Sequence, residues 1–376
     1  MHTTGEATCI ILSGFPELRG SLNEQREEYQ KQYDRYRKTT MLEPRGHDGM
    51  YGALLIRGSE LIRSGETHIA VLYLHNEGYS TMCGHAAIAP RRFLVDTHDL
   101  DIFPHRKDLA FDPVTSVTTI NLHTPCGINK LLVPSTDGGA RSDPTRPVSF
   151  LSVPLFVGAL DMVVEIPKAD WWPELTAIGR TSVTVDLSYR GAWYCMVNVD
   201  QLGVVEGLDK LNMNALDAVT QIIKRQITGG HLVKQVAAPF DVEWDLYGIM
   251  VVDKSLGDYD AESGLCFFAD QQIDRSPTGG CVAARMALAY ARGLPLHQNV
   301  KFNSFVSNAY GGSGAFTGTS VQEVEITGGH GISAKGIVVR VEGEAFYTGA
   351  ITFTLEPGDP INDGFAVKEI EMASMR

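Results

Sequence analysis

Apolar and aromatic residues recur at helical spacing in two long segments of this chain. In residues 21–38, tyrosines share one face, and Ser21 with Glu24 has the spacing of a capping box. In residues 214–227, an apolar face precedes the pair Gly229-Gly230, which is a helix stop signal. We predict one helix over each segment. The residues on these faces are Tyr29, Tyr33 and Tyr36 in the first segment, and Leu216, Val219, Ile223 and Ile227 in the second.

Apolar runs of strand length fill most of the remaining chain, and glycines with Asp or Asn turns separate them. The predicted strands include residues 69–74, 162–166, 181–187, 193–199, 246–252, 337–341 and 351–355. This mixture of many strands with a few helices predicts an α+β fold.

A short glycine-containing phrase occurs twice, each time at the start of an alanine-rich helical segment. Met82-Cys83-Gly84-His85-Ala86-Ala87 is echoed by Pro277-Thr278-Gly279-Gly280-Cys281-Val282, so that Cys83 aligns with Thr278. The phrases and the two long helices recur at the same interval of about 195 residues. We therefore predict two similar halves with a small-molecule site in the cleft between them. The first half is predicted at 1–185, completed by 356–376, and the second at 186–355.

Length and charge narrow the class of protein. The chain has 376 residues, enough for two domains, and a formal net charge of −13 with no long basic cluster. Nucleic acid and anionic membrane surfaces are therefore not expected as partners. Residues 1–14 lack the pattern of a signal peptide, and no apolar run approaches the roughly 20 residues of a membrane helix. Six cysteines without a CxxC pair argue against disulfides and structural zinc, so we expect a cytoplasmic setting.

The first glycine phrase places a thiol at a predicted helix start. Cys83 is expected in the first turn of a helix through Ala89, which Pro90 is expected to end or kink early. The partial positive charge and free N–H groups of a helix N-terminus lower the pKa of a thiol and bind carboxylates. The alternative is an inert cysteine, packed as a small hydrophobic residue.

The second phrase carries a hydroxyl at the corresponding position. Thr278 cannot become a base near neutral pH, and its alternative role is an ordinary helix N-cap. Asp274 can bind a substrate ammonium, pair with Arg275 or cap a turn. Cys281 is expected one turn into the helix, where it is packed or, as an alternative, supplies a second thiol.

The chain resembles the proline racemase family over nearly its whole length. The resemblance depends on motifs spread along the sequence, and the two glycine phrases are the most specific of them. The matching segments are Met1-His2-Thr3-Thr4-Gly5-Glu6, Glu43-Pro44-Arg45-Gly46-His47, residues 76–85, Asp274-Arg275-Ser276-Pro277-Thr278-Gly279, Phe346-Tyr347-Thr348-Gly349 and Asp359-Pro360-Ile361-Asn362-Asp363-Gly364-Phe365.

The resemblance implies a fold and a set of site residues. The fold is two halves of the diaminopimelate-epimerase type, each a curved sheet or barrel around a central helix, with the active site between them. The family needs neither pyridoxal phosphate nor a metal. Its racemases use two cysteines, one on each face of the substrate Cα; Cys83 matches the first, and Thr278 stands at the second, as in hydroxyproline dehydratases. Asp274 would meet the ring nitrogen of the substrate. The substrate carboxylate would meet backbone N–H groups at Gly84, His85, Gly279 and Gly280.

The expected activity is a cofactor-independent dehydration of trans-3-hydroxy-L-proline, with Cys83 as the base at Cα and Thr278 opposite. Either His85 or the protonated Cys83 can protonate the leaving hydroxyl. Two alternatives stay open: a racemase or epimerase with an unusual second base such as Cys281, and a catalytically silent binder of cyclic amino acids. Gly280 and Cys281 stand where the family usually has Ser or Thr and then Gly, which leaves the exact substrate open. A homodimer is also left open.

Overall fold

The computed structural model describes residues 1–80, 84–204, 207–208, 212–230, 236–240, 242, 246–256, 261–328 and 333–367. The chain forms two compact units, Met1–Phe150 with Glu344–Arg376 and Leu151–Gly343. The boundaries predicted from the sequence are 185 and 355 instead. Residues 151–185 belong with the second unit because strand Phe156–Glu165 pairs along its length with strand Ser182–Tyr189.

The described residues contain eight α-helices and nineteen strands. The helices are α1 Leu22–Gln32, α2 Asp34–Met41, α3 Glu60–Arg63, α4 Gly84–Asp96, α5 Pro173–Ala177, α6 Met213–Gly229, α7 Gly279–Ala291 and α8 Phe305–Ala309. The strands of the first unit are β1 His2–Thr3, β2 Glu6–Ile11, β3 Tyr51–Ile56, β4 Ile69–Leu74, β5 Tyr79–Ser80, β6 Ala110–Asp112, β7 Val117–Thr124, β8 Gly127–Thr136, β9 Arg141–Ser142 and β10 Val148–Leu151. Those of the second unit are β11 Phe156–Glu165, β12 Ser182–Tyr189, β13 Trp193–Asn198, β14 Leu246–Asp253, β15 Ala261–Phe268, β16 Gln272–Ile273, β17 Asn299–Asn303, β18 Phe316–Thr327 and β19 Ser333–Gly343.

The two units repeat one pattern of strand pairing. In the first unit, the pairs β1–β2, β3–β4 and β7–β8 are antiparallel, and the pairs β2–β3 and β4–β7, which lie between them, are parallel. In the second unit, β12, β13, β14, β15, β17 and β18 follow the same alternation of senses. A short antiparallel strand, β5 or β16, precedes the glycine-phrase helix in each. The predicted internal repeat is therefore present in the topology.

A central helix packs against the sheet of each unit. In the second unit, every residue of α7 from Gly279 to Leu288 is buried, and α7 contacts β11, β12, β13, β18 and β19. Arg285 on α7 donates from Nε to Glu262 on β15 at 2.6 Å, and its guanidinium lies 4.5 Å from the ring centre of Phe302 on β17. A helix covered on all sides can be apolar around its whole circumference, which explains the alanine-rich sequence. In the first unit, α4 contacts β1, β2, β3, β8 and β9.

Two of the sequence motifs that carry the family resemblance meet in the first unit. Arg45 donates to the backbone oxygen and Oδ1 of Asn362, both at 3.1 Å, and to the carbonyl of Thr354 at 3.2 Å. The amide of Phe365 donates to the carbonyl of Glu43 at 2.9 Å. These bonds fasten the C-terminal segment to the first unit, as the sequence predicts for residues beyond 356.

Three predicted elements differ in the structure. The helix predicted over 21–38 is interrupted at Tyr33, which ends α1 and precedes α2; the capping box of Ser21 and Glu24 is confirmed. Helix α4 does not end at Pro90 but continues to Asp96. Residues 351–355 form no strand, because no other strand pairs with them among the described residues. The helix predicted at 214–227 is confirmed, with all four predicted apolar residues buried.

No helix among the described residues combines the length and apolar character needed to cross a bilayer.

Candidate active site

A buried arginine holds the turn that leads into the first glycine phrase. Arg37 on α2 donates to the carbonyl of His75 at 2.9 Å and also to the carbonyl of Asn76. Its guanidinium is oriented by a two-point contact with Asp34, at 2.6 and 2.7 Å. Charge-assisted bonds of this kind are strong and directional. Arg37 therefore fixes the β4–β5 turn, from which the chain proceeds through Ser80 towards α4.

The second unit fixes the corresponding turn with different residues. Lys224 on α6 donates to the carbonyl of Ala269 at 2.9 Å, and the side-chain amide of Gln271 donates to Thr220 Oγ1 at 2.8 Å. Ala269 and Gln271 both have positive φ, at 48° and 57°. In each unit, a helix between two parallel-paired strands thus anchors the hairpin that precedes the glycine phrase.

The residues of the first phrase lie partly outside the described residues. Cys83 is not described, and neither is the side chain of His85. The helix expected at this phrase is present as α4, whose backbone begins at Gly84. The roles of Cys83, Gly84 and His85 therefore stay predictions.

Thr278 is a strained, buried residue at the start of α7. Its φ is 59° and its ψ 91°, which is a genuine outlier for a β-branched side chain. It occupies the N-cap position, yet its side chain makes no capping hydrogen bond. Its Oγ1 is buried and has no hydrogen-bond partner among the described residues. The N-cap alternative therefore accounts for the position of Thr278 and leaves its hydroxyl unexplained. Strain and an unpaired buried polar group together are typical of functional sites.

The loop before Thr278 is built around Asp274. Asp274 is buried, and its Oδ1 accepts a hydrogen bond from the amide of Ser276 at 2.8 Å. Ser276 Oγ in turn accepts from the amide of Thr278 at 3.1 Å. Asp274 thus closes a turn, which was one of its predicted roles. The structure brings Asp274, Thr278, Gly279 and Gly280 together within one loop and helix start.

Cys281 is a packed thiol. It is fully buried, and its Sγ lies 3.6 Å from Sγ of Cys266. Burial, together with the contact to Cys266, raises the pKa of Cys281 well above its ordinary value. A thiol in this state is a poor base. This geometry disfavours the alternative in which Cys281 serves as a second catalytic base.

The residues that support these loops, and one that packs against the helix start, carry no recognisable signal in the sequence. Arg37, Lys224 and Gln271 are polar residues in otherwise ordinary segments. Tyr194 on β13 lies against Gly280, so that a Cβ at position 280 would come within 2.8 Å of Tyr194 Cζ. The pair Gly279-Gly280 signals that another group approaches the backbone closely, but it does not identify that group.

The groups at the start of α7 indicate which kind of ligand this part of the second unit can bind. The first turn of α7 presents backbone N–H groups that the N-cap side chain does not cap. Next to them lie the Thr278 hydroxyl, which has no partner among the described residues, and the carboxylate of Asp274. Helix N-termini of this kind bind carboxylates and stabilise developing negative charge. No group of three or more His, Cys, Asp or Glu side chains within the described ranges is arranged to hold a metal ion. The site is therefore suited to a small zwitterion or carboxylate.

Comparison with known proteins gives the family. A family model described as proline racemase matches residues 1–366. A trans-3-hydroxy-L-proline dehydratase of Homo sapiens is 38% identical over 372 residues, covering 98% of this chain and 93% of the relative. A trans-L-3-hydroxyproline dehydratase of Saccoglossus kowalevskii is 35% identical over 374 residues, covering 98% of this chain and all of the relative (100%). The chain belongs to the proline racemase family.

Solved structures share the fold. A hydroxyproline epimerase of Agrobacterium vitis, with bound trans-4-OH-L-proline, has a TM-score of 0.75 at 20% identity and is matched over 98% of this chain and 94% of its own. A probable proline racemase of Agrobacterium radiobacter K84 has a TM-score of 0.72 at 21% identity, over 98% and 96%. The predicted α+β fold with two similar halves is confirmed.

Proposed function

We propose that this protein is a hydro-lyase that dehydrates trans-3-hydroxy-L-proline to pyrroline-2-carboxylate. The observation that carries the proposal is Thr278: a buried alcohol with no partner among the described residues stands at the start of α7, where a two-base racemase needs a thiol. Curated relatives at 38% identity over nearly the whole chain bear the name of this activity.

In the proposed mechanism, Cys83 is the base at Cα. The N-terminus of α4 lowers the pKa of a thiol that immediately precedes it, which favours the thiolate. The Cα–H bond breaks and its proton passes to this thiolate. The electron pair forms the Cα–Cβ double bond as the Cβ–O bond breaks. The hydroxide leaves as water, protonated either by His85 or by the newly formed Cys83 thiol. The resulting enamine then tautomerises to the imine.

The remaining site residues bind the substrate and stabilise its charge. Asp274 accepts a hydrogen bond from the ring ammonium. The carboxylate lies against the N–H groups at Gly84, His85, Gly279 and Gly280, which stabilise the carbanion-like charge as it spreads onto the carboxylate. Thr278 can donate a hydrogen bond without competing for the Cα proton. We further propose that the protein acts without a cofactor and is located in the cytoplasm.

The test is a panel of proline and its 3- and 4-hydroxy isomers, followed by NMR in D2O. Loss of trans-3-hydroxy-L-proline, with a ketimine detected by o-aminobenzaldehyde, supports the dehydratase. Deuterium at Cα with inversion and no loss of water would instead identify a racemase or epimerase. Unchanged substrates, with a melting temperature raised by pyrrole-2-carboxylate, would identify a silent binder.

The matched variants are Cys83→Ser and Cys126→Ser. The first should abolish the ketimine signal because a serine hydroxyl is not ionised near neutral pH. The second makes the same change at a free, half-buried cysteine next to β8, and it should leave the activity unchanged. Full activity in Cys83→Ser would overturn the assignment of the base.

We also propose that the protein is a homodimer, joined through residues 351–355. Ile351 is 72% exposed and Leu355 45% exposed, and they alternate with threonines as in a strand. No backbone–backbone hydrogen bond joins residues 347–355 to the rest of the described chain. Two copies of a chain with net charge −13 repel each other, but residues 345–355 carry no charge. An antiparallel pairing of this segment with its copy would satisfy the backbone groups of both.

Light scattering after size-exclusion chromatography tests the dimer. Phe353→Asp should yield monomers, because two added charges would face each other across the pairing. Val114→Asp, at a 90% exposed position elsewhere in the first unit, should remain dimeric. A monomeric wild-type protein would refute the proposal.

A further inference from the structure

The first turn of α7 is buried and begins with residues that do not cap its backbone N–H groups. Two consecutive glycines, Gly279 and Gly280, begin the helix, and both are buried. The N-cap residue Thr278 gives the turn no side-chain hydrogen bond. Because the first N–H groups of any helix have no partner within the helix, this turn retains donors for a bound oxygen.

A tyrosine hydroxyl from a neighbouring strand fills the space beside this turn. Tyr194 lies on β13 and is 2% exposed. A Cβ built on Gly280 would lie 2.8 Å from Tyr194 Cζ and would collide with the hydroxyl oxygen, which is nearer still. Any residue other than glycine at position 280 would therefore displace the ring. Gly280 admits the Tyr194 hydroxyl to the backbone of the helix start.

The ring of Tyr194 is held in this orientation by packing. It forms an edge contact with the ring of Tyr247 on β14, with centroids 5.6 Å apart, and Tyr247 stacks on Phe268 of β15 at 5.6 Å. β13, β14 and β15 are adjacent strands, and the three rings form a row of contacts across them. A hydroxyl held by such a row has little conformational freedom to lose when it binds a ligand.

We infer that the Tyr194 hydroxyl is a substrate-binding group at the N-terminus of α7. It donates a hydrogen bond to the carboxylate of the cyclic amino acid, beside the backbone N–H groups and the Thr278 hydroxyl. A neutral phenol donates one hydrogen bond and suits an anionic oxygen. The ligand class is a small ring that bears a carboxylate. The inference rests on the proposed function and adds a residue to its binding site.

The test compares Tyr194→Phe with Tyr290→Phe. Tyr194→Phe removes only the hydroxyl, so the KM for trans-3-hydroxy-L-proline and the Kd for pyrrole-2-carboxylate should each rise about tenfold, with kcat within about twofold. Tyr290 lies in the last turn of the same helix, about 15 Å from its start, and its hydroxyl bonds to exposed Glu323. Tyr290→Phe should leave the KM and the Kd unchanged.

A second variant tests whether Gly280 acts through Tyr194. Gly280→Ala should raise the KM by pushing the ring away. In the double variant with Tyr194→Phe, the KM should be no higher than in Gly280→Ala alone, because the hydroxyl has already been lost. Additive effects would show that the two residues act independently.

The outcomes separate this inference from the proposed function. An unchanged KM and Kd in Tyr194→Phe, or a lowered melting temperature with an unchanged Kd, would overturn the inference and make the hydroxyl structural. If the wild-type protein binds pyrrole-2-carboxylate without dehydrating any isomer, and Tyr194→Phe weakens that binding, the inference stands while the proposed function fails. If the wild-type protein neither binds pyrrole-2-carboxylate nor dehydrates any isomer, the inference and the proposed function are both overturned.

Discussion

Substitution of Thr278 should make the protein more stable and less active. A residue with a Cβ in the left-handed region costs about 1–2 kcal/mol, and Thr278 has φ of 59°. A buried hydroxyl without a partner costs a further 1–3 kcal/mol or so, and Thr278 Oγ1 is such a group among the described residues. Residues that evolution retains at this cost usually serve function.

Three variants separate the cost of the backbone strain from the cost of the buried hydroxyl. Thr278→Val keeps the strain and replaces only the hydroxyl by a methyl group, so it should raise the free energy of unfolding by about 1 kcal/mol. Thr278→Gly removes both the strain and the hydroxyl. The relief of both is offset by about 0.5–1 kcal/mol of backbone entropy and about 0.8 kcal/mol of lost methyl burial. The free energy of unfolding should therefore rise by about 1 kcal/mol in total. Thr278→Ser keeps the hydroxyl and serves as the active control.

The measurements are thermal unfolding and ketimine formation. A gain of about 1 kcal/mol corresponds to a rise of roughly 2–4 °C in the melting temperature of a unit of this size. Dehydration should fall at least about tenfold in Thr278→Val and Thr278→Gly, and it should persist in Thr278→Ser. Destabilisation by Thr278→Val would refute the reasoning, because it would mean that the hydroxyl has a structural partner.

Three further predictions follow from buried polar groups. Arg37→Met should lower the free energy of unfolding by about 2–4 kcal/mol, measured in urea, because it removes the hydrogen bonds that Arg37 donates to the carbonyls of His75 and Asn76; a neutral effect would contradict the role given to Arg37. Burial lowers the pKa of His123 below its ordinary 6.5. The unfolded chain therefore takes up the proton first, and stability should be full above about pH 6.5 and fall as the pH drops towards the folded-state pKa. His123→Gln should flatten this decline, and an unchanged slope would exclude His123 as its source. Cys281→Ala should retain dehydration, measured by ketimine yield, whereas a racemase that uses this thiol would lose its activity.

The local elements of the fold could be predicted from the sequence because their signals are short-range. The apolar spacing of α6, the capping box of α1 and the run that forms β4 each depend on residues within a few positions of one another. The internal repeat was visible for a similar reason, since two copies of one phrase at a fixed interval need no knowledge of contacts. The second phrase also singled out Thr278, and Asp274 lies just before that phrase in the sequence.

The sequence by itself therefore determined the two long helical segments, six of the seven predicted strands, the two-half organisation and the position of the candidate site. Only the tertiary structure decided which groups surround that site. Tyr194 meets Gly280, and the Cys281 thiol meets Cys266, through strand and helix packing between residues far apart in the chain. That residues 351–355 pair with no other strand among the described residues likewise depends on which strands lie nearby. Such contacts arise because packing and hydrogen bonding depend on distance in space, and the pattern of neighbouring residues carries no record of that distance.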